Sequence, residues 1–148
     1  MLLVGDGKDL AAVRSEVEAR GLLDRVRLPG RVAHDQVPAW LACMDYAVLP
    51  DSNEYGSPMK LFEQMAMGVA VVAPDYDPVA EVVAHGSTGW LFPRKDLAAC
   101  IDQVLDLAGR PDERARVGAA ARDYIRRERR WRNNAHQLLS LVPPRDTP

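Results

Sequence analysis

The chain has 148 residues, 47% of them hydrophobic and 27% charged, with a formal net charge of -2 at pH 7. That length suits one domain able to bury a core, and the near-neutral balance gives no electrostatic footprint for nucleic acid. Cys43 and Cys100 stand far apart and outside any Cys/His cluster, which argues against a disulfide framework or a zinc site and fits a reducing cytoplasm. No apolar run approaches the roughly 20 residues of a membrane-spanning helix, and residues 1–4 are too short for the core of a signal sequence.

Residues 1–4 read as a buried strand ended by the tight turn Gly5-Asp6-Gly7. Over residues 8–20, Leu10, Val13 and Val17 recur at helical spacing among charges, and Gly21 closes the segment. Val26-Arg27-Leu28 alternates as a half-buried strand that Pro29-Gly30 breaks, after which Asp35 is placed to cap a helix running through Val37, Leu41 and Met44. Residues 46–49 form the next strand, ended by Pro50. A loop, residues 51–57, then turns into a helix with Ser57 as N-cap, Pro58 at the first helical position and Gly68 as the stop. Residues 69–73 make a continuous apolar strand, and Asp77 caps a helix that starts at Pro78, passes Val82 and Val83 and stops at Gly86. Residues 89–92 are a short strand. Residues 97–107 are helical with Leu97, Ile101, Val104 and Leu107 on one stripe, and Pro111 opens an Arg- and Ala-rich helical segment reaching about residue 142, with or without a break before Trp131.

About five strands alternating with helices predict an α/β fold, a doubly wound and mostly parallel sheet with helices on both faces, in a single domain over residues 1–148. Ligands of such sheets bind beyond the carboxyl ends of the strands. Gly5-Asp6-Gly7, Gly30-Arg31, residues 51–57 and residues 74–77 all follow strands and are expected at that edge. At the start of the 58–68 helix, the free amides of Met59, Lys60 and Leu61, the positive end of the helix dipole and the Lys60 ammonium together suit a phosphate. Glu63 lies one turn further in, within reach of sugar hydroxyls, and Tyr55-Gly56 lets backbone come close to a ligand. The plain alternative is a capped helix whose Lys60 and Glu63 form an exposed i,i+3 pair. Asp75-Tyr76-Asp77 looks like a metal-binding Asp-x-Asp, but Asp77 before Pro78 is an expected cap, so no metal is expected. The basic stretch Arg122, Arg126, Arg127, Arg129, Arg130 and Arg132 around Tyr124 and Trp131 reads first as a solvated face. It would also suit packing on a further domain or contact with an anionic membrane surface.

The motif Gly56-Ser-Pro-Met-Lys-Leu-Phe-Glu63-Gln-Met-Ala-Met-Gly68, followed by Val69-Ala-Val-Val-Ala-Pro74, resembles the donor-binding motif of group 1 (family four) retaining glycosyltransferases. Four further blocks resemble the carboxy-terminal domain of that family in the right order: Leu2-Leu-Val-Gly-Asp-Gly7, Arg25-Val-Arg-Leu-Pro-Gly-Arg-Val32, Ala47-Val-Leu-Pro50, and Pro78-Val-Ala-Glu-Val-Val83 with Gly86-Ser-Thr-Gly-Trp-Leu-Phe-Pro93. Five ordered blocks are far more specific than one glycine motif. The resemblance implies the carboxy-terminal, Rossmann-like half of a GT-B enzyme that binds a nucleotide-diphosphate sugar without a metal or other cofactor, at the cytoplasmic side or at the inner membrane face. By similarity Glu63 takes the ribose hydroxyls. Backbone amides near Met59 to Leu61 hold the diphosphate, Tyr55, Gly56, Ser57 and Pro58 belong to the same donor site, and Gly30, Arg31 and Val32 border the base.

This chain departs from the family pattern in two places. The family spaces two glutamates with seven residues between them, the first touching the donor sugar; counting back from Glu63 that position is Tyr55, with Glu54 one residue off. A one-residue loop shift would bring in Glu54; the ungapped match from Gly56 onward favours Tyr55 and backbone amides. The diphosphate-binding Arg and Lys of the family, and its acceptor domain, lie upstream of the first block, so the chain alone is expected to lack transferase activity. The mechanism implied is transfer with retention through stabilisation of the departing nucleotide diphosphate, with Lys60 and Glu54 the catalytic candidates. The competing reading is a non-catalytic module that binds a nucleotide or another phosphorylated metabolite.

Overall fold

The computed structural model describes residues 1–57 and 59–141. The chain divides into two compact units, Met1–Met44 and Asp45–Pro148. In the first, strand β1 (Leu2–Val4) pairs in parallel with β2 (Arg27–Gly30), and helix α1 (Leu10–Ala19) connects them. The register shifts by one residue between Leu2↔Arg27 and Val4↔Gly30. Contrary to expectation, Pro29-Gly30 does not break β2. Pro29 lacks only the donor, and Gly30, at φ 77°, still accepts from Gly5 N at 2.9 Å. A 3-10 turn (His34–Gln36) leads into α2 (Val37–Leu41), which stops short of Met44, and Asp35 lies inside that turn and makes no cap bond.

The second unit holds β3 (Tyr46–Val48), α3 (Met59–Ala66), β4 (Ala70–Pro74), α4 (Asp77–Ala80), β5 (Trp90–Phe92), α5 (Leu97–Ala108), α6 (Pro111–Glu128) and α7 (Trp131–Ser140). Its sheet has the order β3-β4-β5 with both pairings parallel, in the registers Tyr46↔Ala70 and Val72↔Trp90. All five strands predicted from the sequence form, and every pairing is parallel, distributed over a two-stranded and a three-stranded sheet. β4 is central and buried along its whole length, which is why its sequence is an unbroken apolar run rather than an alternation. On one face of it, Ala70 and Val72 pack with Trp90, Phe92, Cys100, Leu107 and Val117. The opposite face carries Val71, against which Val83 and the backbone of Gly89 close so tightly that a Cβ on Gly89 would lie 2.6 Å from Val83 Cγ1 and 2.8 Å from Val71 Cγ2.

In this unit two helices, α5 and α4, differ from expectation, and the carboxy-terminal helical segment takes the form with a break. α5 buries Cys100 and Leu107 with Val104 partly buried, while Leu97 and Ile101 point outward, 60% and 49% exposed. Asp102, Gln103 and Asp106 hold one side and leave an apolar arc wider than the face the core covers, so the pattern does not say which part of the arc is buried; Asp96 caps the helix through Ala99 N at 2.9 Å. α4 ends at Ala80, well before Gly86, and its N-cap is Tyr76; Asp77 is the first helical residue and makes no cap bond. α7 is separated from α6 at Arg129-Arg130 and buries none of its side chains; Trp131 is 80% exposed. No helix among the described residues is long and apolar enough to cross a membrane.

Candidate functional site

Parallel pairing in the second unit puts the segments after β3, β4 and β5 at one carboxyl edge. Two of the four turns expected to meet a ligand, residues 51–57 and 74–77, thus share an edge. The other two, Gly5-Asp6-Gly7 and Gly30-Arg31, follow β1 and β2 in the first unit, where Arg31 is exposed and Gly30 and Val32 are half-buried. An open apolar groove of about 660 Å³ in that unit, lined by Leu3, Val13, Val17, Leu22 and Val26 among others, contains none of the candidate residues.

α3 is amphipathic for a simple reason: Leu61 and Met65, four residues apart, are fully buried, which turns Met59, Lys60 and Glu63 outward. Leu61 therefore has only its amide to offer. The first-turn amides of Met59, Lys60 and Leu61 have no carbonyl four residues back within the helix. Among the described residues neither Lys60 nor Glu63 enters an ion pair, so the i,i+3 pair of the plain alternative is not formed and both residues are exposed. Pro58, and with it the cap predicted from Ser57, lies outside the described residues; Ser57 itself is exposed. The carboxyl end of α3 is a left-handed stop at Gly68 (φ 80°), with Gly68 N donating to Met65 O at 2.9 Å and Val69 N to Gln64 O at 3.0 Å.

The loop before α3 is folded by its own short polar side chains. Asp51 Oδ1 accepts from Ser52 N at 2.8 Å, and Asn53 Oδ1 accepts from Tyr55 N at 3.2 Å. The side chain of Asn53 also fills the space beside Gly56, where a Cβ would come within 2.5 Å of Asn53 Oδ1, so Gly56 serves the loop's own packing. Tyr55 projects into solvent, 89% exposed, and Glu54 is exposed beside it.

Two residues to which the sequence reading gave no role of their own stand on the same edge. Tyr76 is buried, 3% exposed, with its hydroxyl 3.4 Å from Asp51 Oδ1. Arg94, two residues past β5, lies 5.2 Å from the centre of the Tyr76 ring and 3.7 Å from Asp77 Oδ1. Burial pushes the Tyr76 hydroxyl above its ordinary pKa; the charge of Asp51 and the hydrogen bond to it push the same way, as does the charge of Glu54, against Arg94. The usable signal was a tyrosine between two aspartates directly after a fully apolar strand, with an arginine just past the next one. Asp77 is thus an arginine partner; among the described residues no group of three or more His, Cys, Asp or Glu could hold a metal ion.

The family description "Glycosyl transferases group 1" matches residues 1–110. Over 148 residues the chain is 28% identical to a GDP-mannose-dependent alpha-(1-6)-phosphatidylinositol monomannoside mannosyltransferase of Mycobacterium tuberculosis, covering 96% of this chain and 38% of that protein. Among solved structures it resembles Anabaena Alr3699/HepE in complex with UDP (TM-score 0.77, 21% identity, 95% of this chain and 40% of that one). It also resembles the carboxy-terminal domain of a group 1 glycosyl transferase family protein (LpcC) of Francisella tularensis (TM-score 0.69, 22% identity, 82% and 64%). The chain thus spans well under half the length of the mannosyltransferase it matches.

Proposed function

This chain belongs to the group 1 glycosyl transferases, and from that membership we propose that it is the donor-binding, carboxy-terminal part of a retaining enzyme. The whole enzyme would move a sugar from a nucleotide-diphosphate sugar to an acceptor in polysaccharide, lipopolysaccharide or glycolipid assembly. One observation carries the reading. At the carboxyl edge of a parallel sheet, the start of α3 presents free amides together with an ammonium and a carboxylate, Lys60 and Glu63, that are exposed and without ion-pair partners among the described residues.

In this assignment the first-turn amides and Lys60 hold the diphosphate, and their positive field stabilises the charge that develops on it as the sugar leaves. Glu63 accepts from the ribose hydroxyls. Gly30, Arg31 and Val32 are assigned to the base by resemblance alone. For the sugar contact Glu54 and Tyr55 both stay candidates: each is exposed on the loop of residues 51–57, and the ungapped match from Gly56 onward puts Tyr55 in the family position. The UDP bound by the Anabaena structure and the GDP-mannose dependence of the mycobacterial relative support a nucleotide-sugar donor.

Titrating the chain with UDP, GDP and ADP, followed by NMR, tests the assignment. One of the three is expected to shift resonances centred on residues 59–63, and Lys60→Ala and Glu63→Ala are each expected to weaken it about tenfold or more, the usual loss for a charge-assisted hydrogen bond. Absence of binding by all three at millimolar concentration would remove the donor-site reading.

A further inference from the structure

Building on that donor-site reading, we propose that Asp51 and Tyr76 are a positioning pair, a side-chain tie that holds the loop of residues 51–57, and with it Glu54, against the carboxyl end of the β3-β4-β5 sheet.

The loop needs such a tie. The ladder between β3 and β4 ends with Leu49 N donating to Val72 O at 2.8 Å. Beyond that point the side-chain bonds that shape the loop from within, Ser52 N to Asp51 and Tyr55 N to Asn53, join it only to itself. They give it a shape without fixing where that shape sits. The contact from the Tyr76 hydroxyl to Asp51 Oδ1 reaches across 25 positions of sequence to a different strand end. It falls on the same oxygen that accepts from Ser52 N, so one carboxylate anchors the loop both to itself and to the sheet.

Tyr76 is built to be the fixed end. Its amide donates to Pro74 O at 2.9 Å, and its carbonyl accepts from Val79 N at 2.8 Å and Ala80 N at 2.9 Å, so its backbone is the start of α4. Asp75 N, one residue before, donates to Phe92 O at 2.8 Å and extends the β4–β5 ladder. The ring is buried beside the Arg94 guanidinium. A phenylalanine would fill this space equally well, so the hydroxyl is there for its polar contact. Burial and the Asp51 charge keep the proton on the hydroxyl, which leaves it a donor throughout the neutral range. At 3.4 Å the contact is longer than the usual 2.7–2.8 Å between hydroxyl and oxygen acceptor, which leaves room for it to shorten as the loop settles on a ligand.

The test uses the 148-residue chain as wild type, Tyr76→Phe, Asp51→Ala, Asp51→Asn and the double variant Asp51→Ala/Tyr76→Phe. Backbone amide resonances of residues 52–56 are recorded, and affinities are measured for UDP, GDP, UDP-glucose and GDP-mannose. Tyr76→Phe is expected to move the Ser52 and Tyr55 resonances and to weaken whichever nucleotide sugar binds by about three- to tenfold, the range for one hydrogen bond. It should leave the matching nucleotide diphosphate within about twofold, a difference that general loss of stability would not produce. The double variant should lose no more than the worse single one, and Asp51→Asn, which keeps the acceptor oxygen, should recover most of the affinity. Loop resonances unmoved by Tyr76→Phe, or sugar and diphosphate forms weakened equally, would overturn the pair. Should Tyr76→Phe not fold, Asp51→Ala, at an exposed position whose truncation leaves the core intact, decides by the far end of the tie: the Tyr76 amide resonance moves if the pair exists, and an unmoved one overturns it. Should the wild type bind no nucleotide, the donor-site reading falls, and the loop resonances still decide the tie.

Discussion

At the scale of single residues, what sets the chemistry at this edge is which polar groups are buried and which are left free. Lys60 and Glu63 are exposed because their helix turns its apolar side inward; Tyr76 is buried with its hydroxyl aimed at a carboxylate. That burial has a pH signature. The hydroxyl is held above the tyrosine reference of 10.0 in the folded chain, so the folded state keeps its proton where the unfolded state has lost it. Tyr76 therefore contributes stability that is intact below pH 10 and is lost as pH rises from there through the raised value. Urea unfolding followed from pH 9 to pH 11.5 should show a decline in wild type that is shallower in Tyr76→Phe; equal declines would assign the loss to other groups.

At the scale of elements, α3 is placed from behind by α6. The stripe Val117, Ala121 and Ile125 faces the core, and Gly118 beside it lets the helix approach the stop of α3 so closely that a Cβ there would lie 2.0 Å from Gly68 O and 3.3 Å from Ala70 N. Those atoms are backbone, which cannot turn aside as a side chain can. Gly118→Ala should therefore push α6 away from the turn between α3 and β4 and cost about 2–3 kcal/mol, read as a lower denaturation midpoint. Ala119→Gly, at an exposed position of the same helix, should cost no more than about 1 kcal/mol, the ordinary penalty for a helical glycine. Equal losses in the two variants would show that propensity, not close approach, governs the joint.

At the scale of the whole molecule, the chain covers 38% of the length of its mycobacterial relative, and the proposed reaction needs an acceptor site that none of the five blocks is assigned to. Binding and transfer should therefore separate. The 148-residue chain is expected to bind its nucleotide and yet leave a nucleotide-sugar donor unconsumed, as followed by release of nucleotide diphosphate, while the same residues joined to an amino-terminal acceptor half should release it. Steady transfer by this chain alone would show that the residues described here suffice for catalysis.

The sequence by itself determined what depends on neighbours within a few positions. It set the alternation of strands and helices, the unbroken apolar run of β4, the stop of α3 at Gly68 and the ordered blocks that mark the family, because caps, periods and turns act over three or four residues. Only the tertiary structure decided which part of a broad apolar arc is buried, so that α5 turns Cys100 and Leu107 inward and leaves Leu97 and Ile101 out. It alone carried β2 through Pro29-Gly30, because the carbonyl of Gly30 finds Gly5 N on the neighbouring strand. It also brought Asp51, Tyr76 and Arg94 to one place, from the ends of three strands that are neighbours only through parallel pairing. No local pattern encodes such a meeting, since its partners lie tens of residues apart and each is an ordinary loop residue until the sheet forms.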